Sequence, residues 1–319
     1  MTKNILLVGG AGFIGSYVAE KLLEDNWQIT IADNLLLGKS ENINHLLVDN
    51  QVKFIKADFA NFSEVEAIFK QGQFDVVYHL AANSDIQASA KDPKIDYNNT
   101  FLTTFNILEC MKLFNVKKIL FSSTSAIYGE KVGVNISEDI GPLFPISYYG
   151  GAKLASESFI ASYAYMNDFT AWIFRFPNVI GGRLTHGVLF DFIKRLRENS
   201  YELYILGDGN QTKPYLYVKD LVKAMFLIWE QCSERINFFN IGAVDKTSVT
   251  EIANIITEEM GLKDVRYLYS GGNVGWKGDV PEFQYDLSKI FKLGWKPSYS
   301  SNEAVRVSVK EYLALCAKQ

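Results

Sequence analysis

Ile5-Leu6-Leu7-Val8-Gly9-Gly10-Ala11-Gly12-Phe13-Ile14-Gly15 opens the chain with an apolar run and a glycine-rich turn. A helical pattern follows through Val18, Leu22 and Leu23. Glycines let a backbone turn sharply and approach a diphosphate closely, and the amides at a helix start point toward negative charge. The spacing is Gly-x-x-Gly-x-x-Gly at positions 9, 12 and 15. A second apolar run, Gln28-Ile29-Thr30-Ile31, leads to Asp33-Asn34. A carboxylate at the end of that second strand accepts hydrogen bonds from both ribose hydroxyls and repels a 2′-phosphate, so the pattern points to NAD rather than NADP.

Working outward, strands are expected near 52–56, 74–78, 117–121 and 170–176, separated by helical stretches that include 99–114 and 150–167. Alternation of this kind builds an α/β fold of the Rossmann type, a doubly wound parallel sheet with ligands at the carboxyl ends of its strands. After Pro177 the rhythm breaks into turns at Gly181-Gly182, Gly207-Asp208-Gly209 and Gly271-Gly272, which suggests a smaller C-terminal α/β substrate domain. The expected division is a dinucleotide-binding domain over 1–177 and a mainly substrate-binding domain over 178–319.

Tyr149 and Lys153 stand four apart in a helical stretch, one turn from each other on one face. They follow Ser122-Ser123-Thr124, at the end of an expected strand. A tyrosine hydroxyl is a poor base at neutral pH because its ordinary pKa lies near 10, and a nearby ammonium favours the phenolate. The trio Thr124, Tyr149 and Lys153 is therefore the candidate catalytic set.

Composition narrows the classes. The chain has 319 residues, 48% of them hydrophobic, enough for one large core or two unequal domains. A net charge of −4 and the absence of basic clusters interleaved with aromatics argue against nucleic acid. Cys110, Cys232 and Cys316 are scattered without metal-ligand spacing and read as thiols in a reducing compartment. No apolar run approaches the length of a membrane span and no signal-peptide pattern leads the chain, so a cytoplasmic enzyme without a metal is expected.

Taken together, the glycine motif, Asp33, Lys56-Ala57-Asp58-Phe59, His79-Leu80-Ala81-Ala82, Phe121 to Gly129 and Tyr149-x-x-x-Lys153 resemble an extended short-chain dehydrogenase/reductase, of the NAD-dependent nucleotide-sugar epimerase family. The resemblance spans nearly the whole chain. It implies a UDP-glucose/UDP-galactose 4-epimerase type of activity, a nucleotide-sugar substrate and a homodimer formed through the helices at 99–114 and 150–167. It also implies that residues near 215–245 return to the first domain. Cofactor contacts are implied for Gly9, Gly12, Phe13, Ile14, Gly15, Asp33, Asn34, Gly38, Asp58, Phe59, Leu80, Ala81, Ala82, Asn99, Ser122, Tyr149, Lys153 and Phe176. Substrate contacts are implied for Ser84, Thr124, Asn178, Lys213, Tyr215, Lys277 and Phe283.

The chain departs from the family pattern at several points. Lys213-Pro214 and Trp276-Lys277-Gly278-Asp279 stand where relatives carry arginines that clamp the diphosphate, and lysine cannot reproduce a bidentate guanidinium. Thr100 stands where relatives often carry a cofactor-touching asparagine, with Asn99 adjacent. A bulky Phe283 favours a plain hexose over an N-acetylhexosamine. Thr124-Ser125-Ala126 lacks the acidic pair that dehydratases use to eliminate water, the glutamate of decarboxylases and the cysteine of epimerising reductases. What remains is the minimum set for removing and returning a hydride. Other readings kept open are an epimerase at another carbon, a net nucleotide-sugar oxidoreductase and a non-catalytic NAD-binding protein.

Overall fold

In this computed structural model, residues 3–131, 133–272 and 284–317 are described, the side chains of 87 and 88 excepted. The chain begins β1 (Asn4–Val8), α1 (Phe13–Glu24), β2 (Gln28–Asp33), β3 (Val52–Lys56), α2 (Phe62–Gln71) and β4 (Val76–His79). Short helices α3 (Ile86–Ser89) and α4 (Lys94–Asp96) lead through a π-helical turn at Tyr97–Leu102 into α5 (Thr103–Leu113) and β5 (Lys118–Thr124). Then come β6 (Asn135–Ile136), α6 (Tyr148–Asn167), β7 (Thr170–Phe176), β8 (Asn178–Ile180), α7 (Val188–Glu198), β9 (Glu202–Ile205), β10 (Thr212–Lys213) and β11 (Tyr215–Tyr217). The chain continues with α8 (Val218–Gln231), β12 (Ile236–Asn240), β13 (Thr247–Ser248), α9 (Val249–Glu259), β14 (Arg266–Tyr269), β15 (Gln284–Tyr285), α10 (Ser288–Phe291) and α11 (Ser301–Cys316).

The described residues divide into two compact units. The first holds the chain up to Tyr128, Leu143–Arg175 and Met225–Phe239; the second holds Gly129–Pro142, Phe176–Ala224 and the chain from Asn240 onward.

A seven-stranded sheet in the order β12-β7-β5-β4-β1-β2-β3 forms the first unit. Its paired registers are parallel, with Val8 opposite both Ala32 and His79. Strand order reverses between β1 and β4, and such a switch point opens a crevice outside the carboxyl ends of the two strands. Both faces are covered, so the strands carry nearly continuous apolar runs instead of an alternation. Val77 and Phe121 pack with Ile107, Met111 and Ile160 from α5 and α6. Tyr78 points the other way, toward Phe226 and Trp229 on α8, and its hydroxyl donates to Met225 Sδ at 3.1 Å.

The strands expected at 52–56 and 170–176 are β3 and β7, and those near 74–78 and 117–121 are β4 and β5, each extending to 79 and 124. The stretch 99–114 differs from a plain α-helix. Its first turn is π-helical, and only from Thr103 does regular helix begin.

In the second unit β8 pairs with β11, β9 with β14 and β6 with β15, all parallel, and α11 packs on α9 and β11. Ser300 and Glu303 form a capping box at the start of α11.

Candidate active site

At the end of β1 the backbone makes the turn that the glycines suggest. Gly9 has φ +82°, and a Cβ built there would lie 2.5 Å from the Ala81 nitrogen. A Cβ on Gly15 would lie 2.2 Å from the Gly9 carbonyl oxygen. Neither position accommodates a side chain, so both glycines are required by space. Gly12 caps α1 without any side-chain hydrogen bond, and no acidic residue stands in the first turn. The leading amides of α1 are thus left to an external anion. Across the switch point Leu80 and Ala81 donate their backbone N–H groups to Val8 O, which ties the two loops together.

Asp33 is buried at the end of β2. Its Oδ2 accepts from Ala11 N at 3.0 Å and its Oδ1 from Leu35 N at 2.9 Å. Burial raises its pKa, and these amides pull the other way. The Gly12 amide also bonds this carboxylate, and with about four acceptor positions it can hold the glycine turn and still receive a ribose hydroxyl. Gly38 lies close enough that a Cβ there would meet both Asp33 oxygens at 2.9 Å. The donor and acceptor set therefore fits NAD: amides and bare backbone for the diphosphate, a carboxylate for the ribose. Phe13, Ile14, Asn34 and Ala82 are partly buried around this turn, and Phe59 is buried. Asp58 is exposed and its Oδ1 accepts from Ala60 N, an Asx turn that leads into α2.

β5 and α6 bring Thr124, Tyr149 and Lys153 together. Ser147 caps α6 by accepting from Gly150 N at 3.1 Å, which starts the helix one residue before Tyr149. Gly150 is needed there, since a Cβ would lie 2.6 Å from Ala126 O. The Thr124 side chain hydrogen-bonds the tyrosine hydroxyl, while Ala126 N donates to Thr124 Oγ1 at 3.2 Å. Lys153 is 1% exposed. Its Nζ donates to Ser122 O at 2.6 Å and sits 4.6 Å from the Phe121 ring centroid.

Charge at this corner runs against the simplest expectation. Burial pushes the Tyr149 hydroxyl up to about 12; the Thr124 hydrogen bond lowers it and the charge of Asp96 raises it further. Lys153 is not among the groups that shift it. Burial likewise pulls Lys153 down to about 7, against the carboxylates of Glu157 and Asp96. A lysine that itself titrates near neutrality cannot be relied on as a fixed charge beside the phenol.

Support for the corner comes from side chains the motif reading passed over. Glu157, one turn beyond Lys153 on the same face, forms a buried ion pair with Arg175 at 2.7 Å and also accepts from Ser123 Oγ. Arg175 Nη1 donates to Tyr128 OH at 2.9 Å. Glu157 was visible as a third member of the four-residue spacing that Tyr149 and Lys153 begin. Asn83 and Asp96 carried no sequence signal. Thr100 is fully buried and its Oγ1 accepts from Asn83 N at 3.1 Å, whereas Asn99 is partly buried beside it. Ser84 is exposed.

Phe176, Asn178, Lys213 and Tyr215 belong to the second unit, with Asn178 and Tyr215 opposite each other in the β8–β11 pair. Lys277 and Phe283 lie outside the described residues.

A parallel sheet with this strand order, a glycine turn at its switch point and a Tyr-x-x-x-Lys helix define an NAD-binding short-chain dehydrogenase/reductase. Residues 5–242 match the family model described as the NAD dependent epimerase/dehydratase family, and the chain belongs to that family. A Methanocaldococcus jannaschii protein described as a putative UDP-glucose 4-epimerase is 36% identical over 310 residues, 95% of this chain and 96% of that one. A putative UDP-arabinose 4-epimerase of Arabidopsis thaliana is 33% identical over 93% of this chain and 73% of its own. The solved structure of Thermotoga maritima UDP-glucose 4-epimerase with UDP-glucose superposes with a TM-score of 0.88 at 33% identity, covering 98% of this chain and 99% of that one. The chain is an NAD-dependent epimerase, an isomerase of the UDP-glucose 4-epimerase-like type. No helix among the described residues is long and apolar enough to cross a membrane.

Proposed function

We propose that this epimerase inverts C4 of a nucleotide-diphosphate hexose, with UDP-glucose and UDP-galactose as its substrate pair. The observation that carries this reading is the corner itself. Tyr149 and Lys153 share one face of α6, Thr124 reaches the tyrosine hydroxyl, and neither Ser125 nor Ala126 adds an acid or a base. Such a set can move one proton at one hydroxyl. It lacks the paired groups needed to eliminate water. The relatives named above lend support for C4 and for UDP, while their sugars differ.

Tyr149 Oη takes the proton of the C4 hydroxyl as the hydride leaves that carbon, and gives it back when the hydride returns to the other face. Thr124 steers that proton by its hydrogen bond to the same oxygen. Lys153 Nζ donates to Ser122 O at 2.6 Å and more weakly to Ser122 Oγ at 3.5 Å, and its remaining donor is available to a ribose hydroxyl of the cofactor. NAD supplies a reversible hydride acceptor and ends each turnover oxidised, so it acts as a resident group. Asn178, Lys213 and Tyr215 are the proposed substrate contacts of the second unit.

Tyr97, Phe159, Tyr165 and Met166 are exposed on or just before the helices expected to pair, and covering them in a homodimer removes apolar surface from water. Light scattering should give twice the chain mass at micromolar concentration; a single-chain mass contradicts the dimer. Cys110, Cys232 and Cys316 form no disulfide, as suits a reducing cytoplasm.

The test is a panel of UDP-, GDP-, CDP- and dTDP-hexoses incubated with purified enzyme without added cofactor and read by NMR. Conversion of UDP-glucose to its C4 epimer is the expected result. Conversion only after NAD or NADH is supplied in stoichiometric amount would overturn it in favour of net redox chemistry.

A further inference from the structure

Ile119, Phe121 and Ser123 are alternate residues of β5 and so share one face of the strand. The first two lie in one apolar cluster with Ile160 of α6, and Ser123, the polar end of that row, turns its hydroxyl to α6 as well, donating to Glu157 Oε1. The same carboxylate receives the guanidinium of Arg175 from β7. Arg175 Nε lies 3.1 Å from Oε1 and 3.2 Å from Oε2, and Nη2 lies 2.7 Å from Oε2. Its other arm, Nη1, donates to Tyr128 OH at 2.9 Å, and the guanidinium carbon sits 5.3 Å from the Tyr128 ring centroid. All four side chains are buried, Ser123 and Tyr128 to 1% exposure.

Ser123 and Tyr128 bracket the segment from Thr124 to Ile127. That segment is short, the last residue of β5 followed by a 3₁₀ turn at Ser125–Tyr128, and it carries the Thr124 hydroxyl that bonds Tyr149. One ion pair therefore holds both ends of it. In between, Ala126 N donates to Thr124 Oγ1 at 3.2 Å, and Ala126 O lies so close to Gly150, the residue after Tyr149, that a Cβ there would stand 2.6 Å away. Lys153 is fastened to the same strand end through Ser122 O at 2.6 Å. Compared with an apolar pair of similar volume, a buried ion pair adds little stability once both charges have left water. What a forked guanidinium–carboxylate pair adds is direction. Packing beside Phe121 asks for no hydroxyl at position 123, so the one present serves the ion pair.

We propose that Ser123, Glu157, Arg175 and Tyr128 form a clamp on the Thr124 segment, a set of positioning residues that keep the Thr124 hydroxyl on the Tyr149 oxygen while the proton moves. The clamp rests on the reading of Thr124 and Tyr149 as the proton-transfer pair. Its members act through Thr124. Loosening either end lets the segment turn, the Thr124 hydroxyl then leaves the tyrosine for part of the time, and the loss falls on the chemical step rather than on the binding of NAD or sugar nucleotide. Ser123 and Tyr128 are the members that can be altered without stranding a buried charge. Ser123→Ala and Tyr128→Phe each delete one oxygen and leave the Glu157–Arg175 pair in place.

The experiment measures kcat, KM for the UDP-hexose and bound NAD in enzyme as purified, for wild type, Ser123→Ala, Tyr128→Phe, Thr124→Val and each clamp variant combined with Thr124→Val. Each clamp variant should lose about 10-fold in kcat with KM and NAD content unchanged, as expected when a catalytic group is displaced by a fraction of an ångström. In the Thr124→Val background neither should cost anything further, because the group that the clamp positions is already gone. A loss that adds to that of Thr124→Val, or one carried by KM or by NAD content, is what a packing role gives and overturns the clamp. Wild-type kcat in the clamp variants beside an impaired Thr124→Val overturns it too. Whichever of Ser123→Ala and Tyr128→Phe folds is enough to decide. Wild-type turnover by Thr124→Val removes the catalytic reading of Thr124 instead, and the clamp with it.

Discussion

The turn after β1 and the corner between β5 and α6 are both short segments at the carboxyl end of one sheet, yet they are made of different material. The turn is backbone: Gly9, Gly12 and Gly15 succeed because nothing projects from them, and the side chains that hold the turn are the Asp33 carboxylate and the Asn42 amide, which donates to Ala11 O at 2.9 Å. The corner is side chain: Lys153, Glu157, Arg175 and Asp96 are all nearly excluded from water, with Glu157 paired to Arg175 and both carboxylates raising the proton affinity of Lys153. A backbone device binds by shape and tolerates no added atom. A side-chain device works by charge balance and fails when one partner is deleted.

The largest effect on stability should follow from unbalancing the corner. Arg175→Leu leaves Glu157 buried without its cation, and removing one partner of a buried pair costs about 3–5 kcal/mol. Denaturant unfolding should show a loss of that size, and Glu157→Gln in the same background should recover part of it; an unchanged midpoint would mean the pair is dispensable. A smaller loss, with a different signature, is expected in the turn. Gly9→Ala forces a side chain onto a φ of +82° and against Ala81 N, a strain of about 1–3 kcal/mol. The variant should fold but purify with little bound NAD, and full NAD content would show that the turn has slack.

A third effect separates the two regions by pH. Lys153 is pulled down to about 7 in the fold from an ordinary 10.5, chiefly by burial. Between those values the unfolded chain binds a proton that the folded chain does not, so stability rises with pH across that window. Cofactor-free Lys153→Met should lose this rise. A wild-type stability that falls between pH 7 and 10 would contradict the direction of the shift.

The contrast also explains what could be read in advance. Three glycines at fixed spacing, an acid at the end of the next strand and a tyrosine and lysine four apart are local patterns, and the structure puts each on the element expected. The seventh strand, Ile236–Asn240, escaped because it joins the sheet beside β7, a pairing with no local signature. The π-helical turn at Tyr97–Leu102 was read as ordinary helix, since apolar spacing is nearly the same in both. Asp96 escaped for a related reason. Among exposed charges in the run Lys91-Asp92-Pro93-Lys94-Ile95-Asp96 nothing marks it for burial, which only the packing of α4 on α6 brings about. The expectation that Lys153 would favour the phenolate treated charge as fixed, whereas burial acts on both groups at once.

The most direct test of the account is Tyr149→Phe, which removes one oxygen from a site otherwise unchanged. The enzyme should retain its bound NAD and its unfolding midpoint, while turnover of the UDP-hexose falls by about 10²–10⁴-fold, the loss typical of a deleted proton-transfer group. Turnover close to wild type, with NAD still bound, would show that the proton moves elsewhere and would contradict the assignment of Tyr149.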